Sequence, residues 1–333
     1  SEMCIRDRLH LDLQTTRIDY APFSGHKLYA PKGIGMLYVR AGSPFTPLMV
    51  GGGQEGGQRS GTENMPGIAA LGAVLEALEA GEGVVFRSTA ALEQARLRLA
   101  DALRSAFPGL VFNMPFVGSL PTTLNFSVPG LSSKALLNLF DAAGMRISAG
   151  SACSAAKAEP SFVLCAMGLP AWQTEGAARL SMGALTDDAQ VEEACTRIAQ
   201  CGRAWLAAQA DKVGVALSLV SAPSVSDAGE GRGLSAEELP QFLRNHPDAL
   251  LVDVREVFEH AAGEHGLAWP AQAQRHVPLA RLEQHLPTLG QHAHRPLVFF
   301  CRSGGRSLQA LQLARARGHG PAWHLEGGLA LAQ

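Results

Sequence analysis

The sequence predicts an α/β fold that is divided into more than one domain. Short apolar or β-branched runs alternate with segments of helical periodicity, as in a layered α/β protein. The chain has 333 residues, of which 47% are hydrophobic, so it is long enough for two or three cores. A stretch rich in Ser, Gly, Pro and Ala, 218–233, has the composition of a linker between two domains.

Charge and hydropathy argue against several classes of function. A net charge of -2 gives no electrostatic basis for binding nucleic acid or an anionic membrane. No apolar run approaches the roughly 20 residues of a transmembrane helix, and the charged residues among the first eight do not fit a signal peptide. The six cysteines lack C-x-x-C or zinc spacing, which favours a reducing cytoplasm and thiol chemistry, with no metal site.

Lys27 is the first candidate for a chemical role. It follows a β-branched and aromatic run, 18–23, and precedes a Pro/Gly turn that leads into a second strand-like run, 36–39. On spacing alone the commoner interpretation is a solvated surface lysine. Residues 24–35, however, read S-G-H-K-L-Y-A-P-K-G-I-G, which resembles the cofactor-lysine motif of the cysteine desulfurases, S-G-H-K-x-x-G-P-K-G-I-G.

That resemblance implies a cofactor and a more specific fold. The cysteine desulfurases are pyridoxal-phosphate enzymes of the aminotransferase type, so Ser24, His26 and Lys27 are expected to bind pyridoxal 5'-phosphate. The fold expected is the C-terminal part of a type I aminotransferase, with a partial large domain over 1–80 and a small α/β domain over 81–212. The family's aspartate that pairs with the pyridinium nitrogen and its stacking histidine have no counterpart in this sequence. We therefore expect that the first part of the cofactor domain is missing and that Ser1 to Arg8 is foreign sequence.

The glycine-rich segment 51–64 reads G-G-G-Q-E-G-G-Q-R-S-G-T-E-N. Taken alone it is typical of a flexible surface loop. It resembles the family segment G-G-G-Q-E-R-G-x-R-S-G-T-E-N, in which the threonine, here Thr62, donates to the cofactor phosphate of the partner subunit. The resemblance thus implies a homodimer, and Gly56 stands where the family has an arginine. Asn64 then reads as the N-cap of a helix, with Pro66 in its first turn, that runs to about Leu78.

The next segment predicts the elements of a small α/β domain. Caps are expected at Ser132 or Ser133, where one helix begins, and at Thr186, where the last one begins with Asp187 and Asp188 in its first turn. The predicted elements are a helix over 86–107, strands over 110–113 and 122–128, a helix that stops at Gly144, and the helix after Thr186.

Cys153 is the candidate nucleophile of this domain. It lies among small residues in a predicted loop, although a cysteine of average environment is more often buried and structural. The loop resembles the family's catalytic segment S-x-G-S-A-C-S-x-x-x-x-x-P, which implies that Cys153 accepts sulfur as a persulfide. The segment 176–183 resembles I-R-x-S-L-G, in which the arginine, here Arg179, binds the substrate α-carboxylate. Three other cysteines are predicted to act as small packing residues: Cys165, Cys195 and Cys201.

A linker over 213–233 is predicted to precede a second α/β domain over 234–333. A capping box at Ser235 and Glu238 opens its first helix. The remaining predicted elements are strands over 249–254, near 277 and over 296–300, and helices over 256–262, 280–286 and 306–317.

The centre of this second domain is the segment 301–307, C-R-S-G-G-R-S, between a buried-looking strand and a helix. Amides at a helix N-terminus, with Arg302 and Arg306 nearby, form an anion cradle around Cys301. The segment resembles the active-site loop of rhodanese sulfurtransferases, whereas the cysteine phosphatases have one more residue between Cys and Arg. Residues 253–255 resemble the rhodanese D-x-R signature, to which we assign a structural role.

Together these resemblances predict a cytoplasmic cysteine desulfurase fused to a rhodanese domain. L-cysteine would give L-alanine and a persulfide on Cys153, and Cys301 would relay the sulfur to an acceptor protein. The sequence does not distinguish between an iron-sulfur cluster assembly scaffold, a transfer-RNA thiolation enzyme and cyanide as the final sulfur acceptor. Three alternatives stay open: an inactive fragment that dimerises or scaffolds, a lyase for selenocysteine, and a phosphatase tail.

Overall fold

The computed structural model describes residues 13–80, 83–149, 160–213, 233–263, 274–289 and 295–332. Its contacts divide the chain into two units. Unit 1 comprises the described parts of 1–100, 114–124 and 181–191, and unit 2 those of 101–113, 125–180 and 192–333. Over the described ranges, no helix combines the length and the apolar character needed to cross a bilayer, and no three His, Cys, Asp or Glu side chains are grouped to hold a metal ion.

A β-hairpin carries Lys27 in unit 1. Strand β1 (Tyr20–Ser24) pairs antiparallel with β2 (Gly35–Val39), and the register places Ser24 opposite Gly35. Between the strands lies a single 3-10 turn, Gly25–Leu28, in which the backbone amide of Gly25 donates to the carbonyl of Ile34. The strand–turn–strand pattern predicted around Lys27 is therefore present.

Helix α1 (Met65–Glu79) follows the glycine-rich segment and begins as the sequence predicts. Asn64 is its N-cap, with its side-chain oxygen 3.1 Å from the backbone nitrogen of Gly67. Pro66 lies in the first turn, where its missing N–H costs no hydrogen bond. The predicted cap and helix are confirmed.

A three-stranded sheet follows, in the order β3 (Val111–Phe112), β4 (Thr123–Ser127), β5 (Ala178–Ser181). In unit 2, helix α3 (Ser133–Ala142) packs on this region through Phe140, whose ring lies 5.9 Å from that of Phe107 and 6.1 Å from that of Phe126. Ser132 caps α3 by accepting from the amide of Ala135 at 3.2 Å. The other helices of this part of the chain are α2 (Thr89–Ala106), α4 (Phe162–Ala166), α5 (Ala171–Glu175) and α6 (Asp188–Val213).

The cap predicted for α6 is wrong by one residue. Asp187 rather than Thr186 accepts from the amide of Gln190, at 2.7 Å, and the Gln190 side chain accepts from the Asp187 amide at 3.0 Å. The two bonds form a reciprocal capping box. The hydroxyl of Thr186 instead accepts from the amide of Gly183, at 3.0 Å, and so closes the turn that precedes the helix.

Two of the six cysteines test the predicted packing role clearly. Cys201 is fully buried in unit 2, and that burial raises the pKa of its thiol to about 12, so it stays protonated and packs as a small apolar group. Cys165, by contrast, is exposed on the short helix α4, so its predicted role as a packing residue is wrong. In a helix of only five residues, some side chains face the core and others, such as that of Cys165, face solvent.

The last part of unit 2 contains a five-stranded sheet in which every described pair is parallel. Its strand order is β6 (Gly233–Leu234), β10 (Ala322–Leu325), β9 (Leu297–Phe300), β7 (Leu250–Asp253), β8 (Gln274–His276). Parallel sheets are covered on both faces, and the continuous apolar runs L-L-V-D and L-V-F-F are typical of such strands. The predicted α/β fold class is confirmed.

Successive side chains of the central strands point to opposite faces of this sheet and pack against different helices. Val252 and Phe299 pack with helices α9 (Leu279–Leu289) and α10 (Gly305–Ala316). Leu251 and Val298 face the other way and pack with α7 (Leu239–Asn245). A short helix, α8 (Val257–Ala262), follows β7. Because Asp253 lies opposite Phe300 in the register, the segments after β7 and β9 leave the same edge of the sheet.

Candidate functional site

Lys27 lies half-buried in the turn of the β1–β2 hairpin. Ser24 and His26, its neighbours, share a hydrogen bond of 2.8 Å between Oγ and Nδ1. That bond fixes the imidazole beside the lysine and leaves its other ring nitrogen for a ligand. The structure thus brings these three predicted residues together in a single turn. Tyr29 ends the turn with a positive φ of 70° and stacks on Phe86, with the ring centroids 5.6 Å apart.

Thr62 lies exposed in the glycine-rich segment of unit 1. The segment adopts backbone conformations that favour glycine, including φ values of 64° at Gly56, 78° at Gly57 and 105° at Gly61. The amide of Ser60 donates to the carbonyl of Met49, which closes the segment into a loop. Thr62 lies outside both strands of the β1–β2 hairpin. Its hydroxyl is exposed and therefore accessible to a ligand or a second chain.

Cys153 lies outside the described residues. Among the described residues that precede it, Ser148 forms an isolated antiparallel bridge with Arg179. The two backbone bonds of this bridge are 3.0 Å, from the Ser148 amide, and 2.6 Å, from the Arg179 amide. The bridge fixes the backbone of Arg179, the predicted carboxylate-binding residue, beside Ser148.

Arg179 itself carries a buried donor that no described acceptor satisfies. Its Nε is shielded from solvent, and no hydrogen-bond partner for that nitrogen occurs in the described parts of the chain. A buried unpaired donor of a guanidinium group is costly, whereas a carboxylate can accept from it with good geometry. Arg179 therefore has the character of a residue that binds an anionic group.

Cys301 follows strand β9 and precedes α10, at the carboxyl edge of the parallel sheet. The residue is buried, and its thiol lies 3.7 Å from the hydroxyl of Ser307, which itself donates to the carbonyl of Gly304 at 2.9 Å. Gly304 has a φ of 85°, and a Cβ at this position would lie 2.9 Å from the amide nitrogen of Gly327. The loop is thus tightly wrapped, because the segment after β10 packs directly against it.

Arg306, in the first turn of α10, is held by Glu259 of α8. Its two terminal nitrogens donate to the two carboxylate oxygens of Glu259, and the Nη2 bond is 2.9 Å long. Burial by itself lowers the pKa of Arg306, but the hydrogen bonds and charge of Glu259 outweigh it and raise that pKa above its ordinary value. Glu259 also accepts from the amide of Glu256 at 2.7 Å, which completes a capping box of α8.

Arg302, the other arginine of the loop, pairs with Asp141 at the end of α3. The Nε of Arg302 lies 2.7 Å from one carboxylate oxygen of Asp141, and its Nη1 lies 3.5 Å from the side-chain oxygen of Asn138. The other Asp141 oxygen is 3.1 Å from Arg146. Arg302, Asp141 and Asn138 line a cavity of about 380 Å³ within unit 2.

The D-x-R signature forms a buried ion pair under the same sheet edge. Arg255 donates through Nε and Nη2 to both oxygens of Asp253, at 2.8 to 3.0 Å, and His260 lies 3.0 Å from one of them. Burial alone would raise the pKa of Asp253, but the hydrogen bonds from His260 and Arg255 outweigh it and hold that pKa well below its ordinary range. The His276 ring stacks on that of His260 with 4.0 Å between centroids. The structural role assigned to this signature is confirmed.

Sequence reasoning missed the two carboxylates that hold the loop arginines. Glu259 had a weak signal, because Glu256 and Glu259 have capping-box spacing ahead of an apolar turn. Asp141 had none, since it lies 161 residues from Arg302 in the sequence. Only a folded chain brings such a pair together.

Family models match two parts of the chain. The aminotransferase class-V model matches residues 7–193, and the rhodanese-like domain model matches residues 235–331. The resemblances identified in the sequence are therefore confirmed at the level of the family.

Curated relatives of the first part are named cysteine desulfurases. That of Nostoc sp. is 41% identical over 187 residues, which cover 56% of this chain and 46% of the relative. The cysteine desulfurase IscS of Clostridium botulinum is 37% identical over 184 residues, 55% of this chain and 46% of the relative. The chain spans about half the length of the curated relatives it matches.

Solved structures resemble each part separately. A NifS-like protein aligns with 58% of this chain and 49% of its own, at 32% identity and a TM-score of 0.48. The human single-domain sulfurtransferase TSTD1 aligns with 30% of this chain and 92% of its own, at 33% identity and a TM-score of 0.24. On the family match over more than half of its length, this chain belongs to the class-V aminotransferases and carries a rhodanese-like domain over residues 235–331.

Proposed function

We propose that this chain mobilises sulfur from L-cysteine, with pyridoxal 5'-phosphate as its cofactor, and transfers that sulfur through Cys301 to an acceptor protein. L-alanine would be the other product. The observation that supports the proposal most is the turn that holds Ser24, His26 and Lys27 together, in a chain whose curated relatives are cysteine desulfurases. The domain boundaries predicted at 80, 212 and 233 belong to the same proposal.

The side chains of this turn fit the proposed cofactor. An amine can condense with the aldehyde of pyridoxal phosphate, and an imidazole and a hydroxyl beside it can orient the ring and its substituents. Lys27 would hold the cofactor covalently, with His26 and Ser24 next to it and Thr62 reaching the phosphate bound by a partner subunit. When bound, the cofactor supplies an electron sink for the bonds at the substrate α-carbon.

Arg179 would bind the α-carboxylate of the substrate. Its Nε donor is buried and lacks a described acceptor, so a substrate carboxylate would satisfy that donor and balance the positive charge of the guanidinium group. A rigid guanidinium fork fixes the orientation of the amino acid as well as its position. Binding energy gained here orients the substrate thiol for attack. Cys153 would receive the sulfur, as the resemblance of its segment implies.

Cys301 would receive the sulfur next. The hydrogen bond between its thiol and Ser307 fixes the direction of the sulfur atom, and the amides at the start of α10 favour a negative charge there. Arg302 and Arg306 lie beside it. A short tether between two sulfur-carrying sites raises their effective concentration to about the millimolar range for a flexible linker.

Cofactor attachment is the first test of this proposal. The purified chain should turn yellow with pyridoxal phosphate, lose that colour on borohydride reduction, and retain the cofactor on the peptide that contains Lys27. The Lys27→Ala variant should show none of these three behaviours, whereas Lys32→Ala, a change in the same hairpin, should behave as the wild type. A colourless wild-type chain would contradict the proposal.

A second candidate function is a catalytically inactive polypeptide that dimerises or scaffolds. The observation in its favour is that the chain spans about half the length of its curated relatives. A chain that stays colourless but sediments as a dimer would support it. If the chain is active, alanine release from L-cysteine and from selenocysteine, together with an aryl phosphate assay, separates the proposed function from a selenocysteine lyase and a phosphatase.

A further inference from the structure

Both arginines of the Cys301 loop are matched by carboxylates from outside the loop. Arg306 is bound by Glu259, whose side chain is 1% exposed, and Arg302 is bound by Asp141, whose side chain is 14% exposed. The arginine side chains themselves are 21% and 27% exposed. All four groups lie within unit 2.

Partial burial makes this charge matching effective. Two opposite charges in contact in a medium of low dielectric constant present almost no net charge to a third group nearby. The third arginine at this sheet edge, Arg255, is likewise matched by Asp253 at 2.8 Å. Each of these three arginines is therefore paired with a carboxylate, although Asp141 also contacts the exposed Arg146 through its second oxygen, at 3.1 Å. The described surroundings of Cys301 are thus less cationic than the loop sequence alone, with two arginines in seven residues, suggests.

We propose that the Cys301 loop takes its sulfur from a persulfide of low charge in preference to the dianion thiosulfate, and that Asp141 is the residue that determines this specificity. The proposal rests on the sulfur transfer to Cys301 proposed above and names the donor class of that site. Arg302 and Asp141 are paired in the lining of the cavity of about 380 Å³, so a dianion near Arg302 has to compete with a carboxylate that is already in place.

The two donors react by the same bond exchange. The Cys301 thiolate attacks the outer sulfur of the donor, a new S–S bond forms, and the old S–S bond breaks with its electron pair on the leaving group. A persulfide R–S–SH gives a Cys301 persulfide and the thiolate R–S⁻, whereas thiosulfate gives a Cys301 persulfide anion and sulfite. Neither exchange needs an external oxidant or reductant, and cyanide regenerates the thiolate by removing the outer sulfur as thiocyanate.

The test compares the kcat/KM values for two donors, thiosulfate and glutathione persulfide, with cyanide as the acceptor and thiocyanate as the readout. In the wild-type chain the persulfide should be the better donor by at least about tenfold. In Asp141→Asn, which leaves Arg302 without its matching charge, the thiosulfate-to-persulfide ratio should rise about tenfold. Asn138→Asp, which adds a carboxylate beside Arg302, should lower that ratio.

A matched control and two readouts make the outcome decisive. Asp101→Asn removes a carboxylate that pairs with Arg104, and neither residue lines the cavity, so the donor ratio should not change. The rise in Asp141→Asn should shrink at high salt, since it is electrostatic. Equal use of both donors by the wild type, or a ratio that is the same in Asp141→Asn and wild type, would overturn the inference. Both donors can be assayed without cysteine. Failure to release alanine from cysteine would therefore contradict the proposed function without changing the outcome of the donor comparison.

Discussion

Glu259 combines two tasks that are usually divided between residues. It is the N3 residue that closes the capping box of α8, and it is the buried carboxylate that binds Arg306 beside Cys301. Its side chain is almost fully enclosed, so the carboxylate is stable there only because hydrogen bonds satisfy both of its oxygens. The start of one helix and the side chain of another are thereby fixed relative to each other.

We therefore expect Glu259→Ala to lower the free energy of unfolding by about 3 kcal/mol, because the partner charge on Arg306 is left partly buried and unpaired. Urea unfolding of the full chain measures it. Glu237→Ala removes an exposed carboxylate in the same domain and should cost less than about 0.5 kcal/mol. Equal losses in the two variants would show that the Arg306 pair contributes nothing to stability.

The residues themselves were predictable, but their partners were not. Local motifs identified Lys27, Arg179, Cys301, Arg302 and Arg306 from the sequence, and their assigned roles stay predictions. Asp141 and Glu259 were not identified, because they meet the loop over sequence separations of 161 and 47 residues. A local pattern carries no information on contacts of that kind.

Helix ends were the best predicted features at the scale of elements. Asn64 and Ser132 form the cap bonds that their positions predict. Ser235 and Glu238 form the two reciprocal bonds of a capping box, but in the turn before α7, which begins at Leu239, so the predicted start of that helix is wrong. The hydrogen bonds from Ser235 lower the pKa of the Glu238 carboxyl, as expected for a side chain that accepts from a backbone amide. The short strands β5, β6 and β10 were not predicted, since they lack the continuous apolar runs that indicated the similarly short β7 and β9.

Asp187 gives the test at this scale. Asp187→Ala removes the side chain that caps α6 and should lower the free energy of unfolding by about 1 kcal/mol. Asp187→Asn keeps an oxygen that can accept from the Gln190 amide, so thermal unfolding should be nearly unchanged. A loss in Asp187→Asn as large as that in Asp187→Ala would contradict the capping role.

At the scale of the whole molecule, the parallel sheet contains two histidines whose protonated, charged form is disfavoured. Burial lowers the pKa of His324 on β10 and of His276 on β8; Glu326 opposes the shift at His324, and the carbonyl of Arg255 opposes it at His276. The unfolded chain then binds more protons than the folded chain as the pH falls below the ordinary histidine pKa of about 6.5. Stability therefore decreases on acidification through that value.

We therefore predict that the free energy of unfolding falls on acidification and that substitution of His324 makes this fall smaller. The unfolding free energy of the wild-type chain should fall between about pH 7 and about pH 5, and His324→Phe should show a smaller fall. His285→Gln, a change at an exposed position on α9, is the control and should follow the wild type. A wild-type profile that is flat, or one that rises on acidification, would contradict the assignment of a neutral histidine to this site.

The strand order of the sheet shows why the overall arrangement was harder to predict than its parts. Alternating strands and helices indicated an α/β domain, which the structure confirms; that its described strand pairs are parallel is a finding of the structure. The order β6, β10, β9, β7, β8 depends on crossovers between strands that are far apart in the sequence. Such pairings are set by packing on both sheet faces rather than by any single segment.

The most direct test of the central claim is to follow sulfur from cysteine to Cys301. The chain is incubated with pyridoxal phosphate and sulfur-labelled L-cysteine, alkylated, digested and analysed by mass spectrometry, with Lys27→Ala and Cys301→Ser as controls. We predict that the peptide containing Cys301 gains one labelled sulfur atom in the wild type and none in either control. Label that accumulates on Cys153 and never on Cys301, or on no cysteine at all, would contradict it.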